Sequence, residues 1–306
     1  MENMNYSEKV KSVGIVVVTY NRLSLLKEVV DALRNQSFTN FQIIIVNNGS
    51  TDKTQEWLNE QEDIITITQP NLGGAGGFFT GMKYVAEHNY EYCWIMDDDV
   101  ICDPKALYEL LIAIESKKNI GFVCSKVIGI DGSPMNTPIV NMESRSPITG
   151  YEDYFDMSDY NMVKVKRTTF VSVLFKCEIF FKYGLPYKDY FIWGDDTEYT
   201  TRISINNPCY VALRSVVMHK RSIQKSLDFI CENDPKRLAM YVYKYRNEMF
   251  TKIVRKEKNV LFGLFSLFKE SFKLFLKGKN RQSIILLKAM VNLINFNPTI
   301  EYPIKK

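Results

Sequence analysis

Trp94-Ile95-Met96-Asp97-Asp98-Asp99-Val100 carries an apolar run straight into three consecutive carboxylates. Like charges this close repel, and at the end of a buried strand they destabilise the fold unless a cation sits beside them. A divalent metal that also holds a diphosphate answers that need, because hard oxygen ligands suit Mg²⁺ and Mn²⁺. The competing reading is a solvated acidic turn. The flanking segments favour the first.

Upstream, Val13-Gly14-Ile15-Val16-Val17-Val18-Thr19-Tyr20 is a β-branched apolar run that reads as a buried parallel strand. Asn21 to Arg34 follows with helical spacing at Leu25, Leu26, Val29, Val30 and Leu33. Phe41–Val46 reads as a second strand, ending in Asn47-Asn48-Gly49-Ser50-Thr51-Asp52, and Lys53–Asn59 as a helix. Ile64–Thr68 is a third strand, and Asn71–Gly81 a glycine-rich loop leading into a helix over about Phe78–His88. Tyr92–Met96 is the fourth strand, and Pro104–Ser116 a helix with Asp103 as its N-cap. This alternation predicts an α/β fold, a mainly parallel sheet flanked by helices. Ligands on such sheets bind at the carboxyl ends of the strands. Thr19-Tyr20-Asn21-Arg22, Asn47-Asn48 and Asp97-Asp98-Asp99 all fall there.

Downstream, residues 130–168 are rich in turn formers and read as irregular. Thr169–Phe181 reads as a strand passing into a short helix ended by Gly184. Residues 227–256 read as helical, and Asn259–Phe296 as one or two amphipathic helices broken near Lys277-Gly278-Lys279. The division expected is one α/β domain over 1–226, in two halves of about 1–125 and 126–226, and a basic helical region over 227–306.

The 306 residues suffice for a substantial core, and 46% hydrophobic with 24% charged residues fits a water-soluble globular chain. Six cysteines without CxxC spacing argue against structural zinc and a disulfide framework, and fit a reducing cytoplasm. Met1–Lys11 is polar, so no signal peptide is expected. No run reaches the ~18 apolar residues of a membrane span. Only His88 and His219 are present, which excludes a histidine-rich metal site. Residues 244–306 carry 14 Lys/Arg against 4 Asp/Glu, while the rest of the chain is net acidic, so the tail is suited to an anionic surface.

Each polar cluster has a chemical and a plain reading. Gly73-Gly74-Ala75-Gly76-Gly77 can bring backbone N–H groups to a phosphate, or can simply be a connector. It matches neither the ATPase phosphate loop nor GxGxxG, which counts against kinases, ATPases and nicotinamide enzymes. Asn47 and Asn48 can read a nucleobase edge or close an Asx turn. Asp195-Asp196-Thr197-Glu198 follows the aromatic Phe191-Ile192-Trp193, and carboxylates beside apolar walls become usable general bases. The plain reading there is a helix N-terminus with favourable charges. His219 after Val216-Val217-Met218 is either a structural histidine or a further metal ligand.

In order and spacing these segments resemble the inverting family 2 glycosyltransferases of the GT-A fold, over roughly residues 12–250. The resemblance rests on Val16–Arg22, Val46–Asp52, Asn71–Phe78, Asp97-Asp98-Asp99, Trp193–Glu198 and Tyr243-Lys244-Tyr245-Arg246-Asn247. The glycine stretch and Met96–Val100 are most similar to the galactofuranosyl- and rhamnosyltransferase branch. The resemblance implies donor contacts from Thr19, Asn21, Arg22, Asn48, Gly74, Gly76, Gly77, Asp97 and Asp98. It implies a Mn²⁺ or Mg²⁺ ion on Asp97, Asp99 and His219, and Asp196 as catalytic base. Asp195 and Glu198 would orient the acceptor, and Trp193 would form a sugar platform.

The function expected is transfer from UDP-galactofuranose, or alternatively dTDP-rhamnose, to a lipid-linked cell-surface glycan. The competing class is a non-catalytic sugar-nucleotide-binding subunit of a glycan assembly complex. Val260–Leu276 is apolar with Lys269, Glu270 and Lys273, and Lys277, Lys279 and Arg281 follow. That pattern suits a helix on the inner face of the cell membrane over anionic lipid. The alternative is packing on the catalytic body or on a partner chain, a second copy included. Nucleic acid is not an expected partner, since the body is acidic and shows no recognition motif.

Overall fold

A computed structural model describes residues 12–141, 149–151, 161–221 and 228–305. The polar Met1–Lys11, parts of the turn-rich 130–168 region and the expected boundary at 226/227 lie outside the described residues. The elements in chain order are β1 (Val13–Thr19), α1 (Leu23–Arg34), β2 (Phe41–Asn47), α2 (Thr54–Asn59), β3 (Ile64–Thr68), α3 (Gly73–Glu87), β4 (Tyr92–Asp97) and β5 (Val100–Cys102). There follow α4 (Ala106–Glu115), β6 (Val123–Ile128), β7 (Ile139–Val140), β8 (Met162–Arg167), β9 (Ser172–Lys176) and α5 (Glu178–Tyr183). The chain continues through α6 (Asp195–Ser204), β10 (Tyr210–His219), α7 (Pro235–Val254), α8 (Val260–Leu276) and α9 (Asn280–Ile294).

The sheet runs β3-β2-β1-β4-β9-β6-β10-β8-β7, with β5 paired to β10. Its first four strands are parallel, as the βα alternation predicts. β9 is inserted antiparallel between β4 and β6, so the sheet as a whole is mixed. Every residue of β1 is buried, which is why its sequence is continuously apolar rather than alternating. Along β4 the side chains alternate faces. Trp94 and Met96 join the core under α1 and α4, while Cys93 and Ile95 join the core under α3. Asp97 continues the second set, toward α3.

The chain leaves β1 leftward to β2 and β3 and returns to β4 on the other side of β1. The carboxyl ends of β1 and β4 are therefore a topological switch point. The register Val18↔Asp97 puts the acidic run there. β5 then pairs antiparallel with β10 in the register Val100↔His219, which carries Asp99 to the histidine.

The glycine-rich stretch read as a loop is the first turns of α3. Glycine costs roughly 1 kcal/mol in a helix interior, so tertiary packing must supply the reason. A Cβ on Gly77 would stand 2.3 Å from Val18 Cγ1, so the helix lies closer to β1 than any side chain allows. Asp103 accepts from Lys105 N at 2.9 Å in the turn before α4, rather than capping a helix that starts at Pro104.

α7 opens on Asp234, whose carboxylate accepts from Lys236 N and Arg237 N, with Pro235 at its first position. α8 and α9 form a hairpin broken at Gly278, where φ is +71°. They build a third core with α7 that includes Tyr187, Tyr190 and Ala75 of the body. The chain end returns to the body: Leu185 N donates to Glu301 O at 2.8 Å, and Lys188 pairs with Glu301 at 2.7 Å. Among the described residues no helix is long and apolar enough to cross a membrane.

Candidate active site

The carboxyl end of β1 is tied to the acidic run by short polar contacts. Thr19 Oγ1 donates to Asp98 Oδ2 at 2.8 Å. Arg22 Nη1 donates to Asp98 Oδ1 at 3.1 Å and to Asp99 Oδ2 at 2.9 Å. Burial raises the Asp98 carboxyl above its ordinary value although Arg22 and Thr19 oppose this. Asp98, 4% exposed, thus faces inward and holds Thr19 and Arg22 in place rather than facing a ligand.

Asp97, Asp99 and His219 each offer a ligand atom, and these atoms lie within 4.8 Å of one another. Asp99 Oδ1 is buried and has no hydrogen-bond partner, yet it stands 3.0 Å from His219 Nε2. With Nε2 protonated the two form an ion pair; with Nε2 deprotonated both atoms would present lone pairs to a cation between them. His219 Nδ1 lies 2.9 Å from Asn136 Oδ1. Nδ1–H donates there, which leaves Nε2 to face Asp99. Burial, then repulsion from Asp99, pushes Asp97 up to about 7. Burial also opposes ionisation of Asp99, but His219 and Arg22 outweigh it and hold Asp99 below its ordinary value. The donor set, two carboxylates and an imidazole, fits Mn²⁺ or Mg²⁺.

This cluster lines a cavity of about 430 Å³ together with Arg22, Gly74, Trp193, Asp195 and Asp196. A second cavity, about 630 Å³, opens toward α7 between Arg167, Lys244 and Arg255. Thr169, Trp193 and Asp196 line both. Asp195 and Asp196 begin α6, and burial raises both carboxyls, with Asp196 adding to the rise at Asp195. Arg167 opposes the rise at Asp196.

The loop before α6 is held in rarely occupied backbone geometry: φ is +64° at Phe191, +63° at Trp193 and +95° at Gly194. Its support comes from α7. Asn247 Nδ2 donates to the carbonyls of Tyr190, Ile192 and Trp193 at 2.9, 3.2 and 2.7 Å. Asn247 Oδ1 accepts from Arg246 Nε at 3.0 Å, and Arg246 Nη2 donates to Asp189 O at 2.9 Å. The other flank is α3: Ala75 N donates to Phe191 O at 3.1 Å. A Cβ on Gly73 would stand 2.0 Å from that oxygen, and Gly73 has φ +71°.

Several residues with expected ligand contacts are placed otherwise. Glu198 spends both carboxylate oxygens on Arg202, at 3.0 and 2.6 Å, and lines neither cavity. In the structure its carboxylate is engaged by Arg202, one turn further along α6, in place of the expected acceptor contact. Asn48 is 2% exposed, donating to Gly73 O at 2.9 Å and accepting from Gln69 Nε2 at 2.6 Å. Asn47 closes the turn after β2, accepting from Ser50 N at 2.9 Å. Asn21 accepts from Thr51 N at 2.6 Å, so it ties the loop after β1 to the loop after β2. Gly77 packs on Val18, and Gly76 lies beneath Leu72; of the three donor-side glycines only Gly74 lines the cavity. Asn136, in the turn-rich region, and Arg246 were not singled out as site residues; only a buried partner for His219 or for the strained loop identifies them.

Residues 14–176 match the family model of glycosyl transferase family 2. The chain belongs to that family. Galactofuranosyltransferase GlfT1 of Mycobacterium tuberculosis is 27% identical over 202 residues, covering 63% of this chain and 64% of the relative. GlfT1 of Mycolicibacterium smegmatis is 25% identical over 195 residues, covering 61% and 64%. The chain thus spans just under two thirds of the length of these relatives. Among solved structures, GalNAc-T7 with UDP, GalNAc and Mn²⁺ superposes with a TM-score of 0.59 at 14% identity, covering 81% of this chain and 48% of that one. The mannosyltransferase PcManGT of Pyrobaculum calidifontis with GDP-Man and Mn²⁺ gives 0.54 at 14%, covering 92% and 87%. The fold is of the GT-A type.

Proposed function

We propose that the protein is a metal-dependent, inverting glycosyltransferase that moves galactofuranose from its UDP donor to a lipid-linked cell-surface glycan. The observation that carries this reading is the place of Asp196, in the wall shared by two cavities. The inner cavity, with Arg22, Asp97, Asp99 and His219, suits a nucleoside diphosphate. A divalent cation held by Asp97, Asp99 and His219 would neutralise charge developing on the leaving diphosphate. Arg22 adds a fixed guanidinium to the same side. Asp196, with its carboxyl raised by burial, is suited to take the proton of an acceptor hydroxyl entering from the outer cavity. Attack from that side, opposite the diphosphate, is a single in-line displacement and inverts the anomeric centre. Trp193 offers its ring to both sugars.

Likeness to galactofuranosyltransferases over 202 residues supports the donor. Peripheral membrane docking is supported by α8. Leu261, Phe262, Phe265, Phe268, Phe272 and Phe275 are exposed there, beside Lys269, Lys273 and Lys277.

The test is donor hydrolysis by the purified protein with Mn²⁺. Release of UDP from UDP-galactofuranose, abolished by EDTA, is the expected result. Release of dTDP from dTDP-rhamnose instead reassigns the donor. Absence of both turnover and calorimetric binding for every nucleotide sugar would overturn the reading.

A further inference from the structure

Two cavities meet at the turn between α7 and α8. The outer cavity of the active site runs from Asp196 and Trp193 to Lys252, Arg255 and Glu257. A neighbouring one, about 650 Å³, continues from Glu257 past Lys256 and Lys258 to Phe262 and Phe265. Glu257 lines both, so the two cavities adjoin at this residue.

The chemistry changes from one end of the pair to the other. The inner end holds the Asp196 carboxylate with the hydroxyls of Thr169 and Thr197. In the middle, residues 252–258 carry Lys252, Arg255, Lys256 and Lys258 against Glu257 alone. The backbone concentrates these cations. α7 ends at Val254, Lys256 has φ +60°, and the amides of Glu257 and Lys258 both donate to Lys252 O, at 2.9 and 3.2 Å. Asn259 then caps α8 by accepting from Phe262 N at 2.8 Å. Arg255 Nη2 donates to Glu198 O at 3.0 Å and Lys258 Nζ to Ser266 Oγ at 3.3 Å, while Lys252 and Lys256 are exposed; the segment keeps a net positive charge that an anion relieves. The outer end is the aromatic face of α8, where Phe262 and Phe265 are 67% and 62% exposed. From Phe262 to Phe275 that face is about 20 Å long at the helical rise.

A base, then cations, then an apolar track matches an amphiphile that presents a hydroxyl, then a phosphate, then a long apolar chain. We infer that the α7–α8 turn is an anion subsite for the phosphate that joins the acceptor glycan to its lipid, with the lipid chain laid along α8. This rests on Asp196 as the acceptor-side base. It goes beyond membrane docking, which needs the exposed face of α8 but no phosphate selection.

The experiment titrates the full chain in EDTA with geranylgeranyl diphosphate, geranylgeraniol and inorganic diphosphate, read by tryptophan fluorescence. UDP binding with Mn²⁺ is measured in parallel. The isoprenyl diphosphate is expected to bind at least about tenfold more tightly than either half, since charge and chain contacts then act together. Lys256→Glu with Lys258→Glu should erase the advantage of the diphosphate over the alcohol. Phe262→Ser with Phe265→Ser should erase the advantage over inorganic diphosphate. UDP binding should persist in both variants, because none of these residues lines the donor cavity; its loss in wild type would count against the donor reading alone. Should a variant lose UDP binding through misfolding, Lys256→Gln with Lys258→Gln decides the matter. Equal affinity for geranylgeranyl diphosphate and geranylgeraniol overturns the inference. So does competition by phosphatidylglycerol vesicles with the same sensitivity to the charge variants, which would assign the cations to bulk anionic lipid.

Discussion

Asn247 Nδ2 lies 2.7 Å from the carbonyl oxygen of Trp193, so a helix of the C-terminal region holds the loop that leads into the Asp195–Asp196 pair. The same amide reaches the carbonyls of Tyr190 and Ile192. Phe191 and Trp193 sit at positive φ, which costs on the order of 1–3 kcal/mol each and persists only where surroundings over-determine it. Asn247→Ala strands buried carbonyls at about 1–3 kcal/mol apiece. The expected outcome is a lower melting temperature and a kcat reduced by about tenfold or more, with UDP affinity retained. A variant with wild-type kcat would show the clamp to be dispensable.

Asp196→Asn removes the proposed base while keeping the shape of the side chain. Turnover should fall by roughly 10²–10⁴, the usual contribution of a positioned base, and calorimetric UDP binding should be unchanged. Unaltered glycan transfer would support a scaffold role instead.

The pH profile follows from the same group. Burial raises Asp196 above the ordinary carboxylate range, and a base works only when ionised. Activity should therefore rise with pH through the raised value and be lost as pH falls below it. The acidic limb of kcat/KM should lie above the ~4 of an unperturbed carboxyl. A limb at or below that value would contradict the assignment.

Asn136 fixes the tautomer of His219 through its contact with Nδ1. Asn136→Ala should weaken Mn²⁺ binding by about 10–100-fold, as loss of a partner behind a metal ligand does. Titration of UDP-bound protein with Mn²⁺ reads this directly, and unchanged affinity would show that the Asn136 contact does not support metal binding.

Glu198→Gln separates structure from chemistry. It leaves Arg202, a mostly buried cation, without its carboxylate, a change that costs about 3–5 kcal/mol. The melting temperature should fall while acceptor KM stays within about twofold. A selective rise in acceptor KM with full stability would restore Glu198 to the acceptor site.

Much of the fold is legible in the sequence, because buried parallel strands and amphipathic helices impose periods of their own. β1 to β4, α1 and the hairpin break at Gly278 all follow from such patterns. The glycine stretch is misread because helix propensity is local, whereas the close approach of α3 to β1 that demands glycine is tertiary. The acidic run and His219 stand out in the sequence because charge at the end of an apolar strand needs a partner, and Asp196 because it follows an aromatic patch. Glu198 and Asn48 look the same as those residues in one dimension; which way a side chain points within a turn decides their roles.

The sequence by itself determined the class of fold and the identity of the chemistry: strand ends rich in Thr, Asn and Asp, a paired carboxylate after aromatic residues, and one usable histidine. Only the tertiary structure decided which of those groups meet. The antiparallel pairing of β5 with β10 brings Asp99 to His219 across 120 positions of chain. α7 reaches back to brace the Trp193 loop. These are long-range contacts, and no local pattern encodes them, because they depend on how strands and helices dock after each has formed.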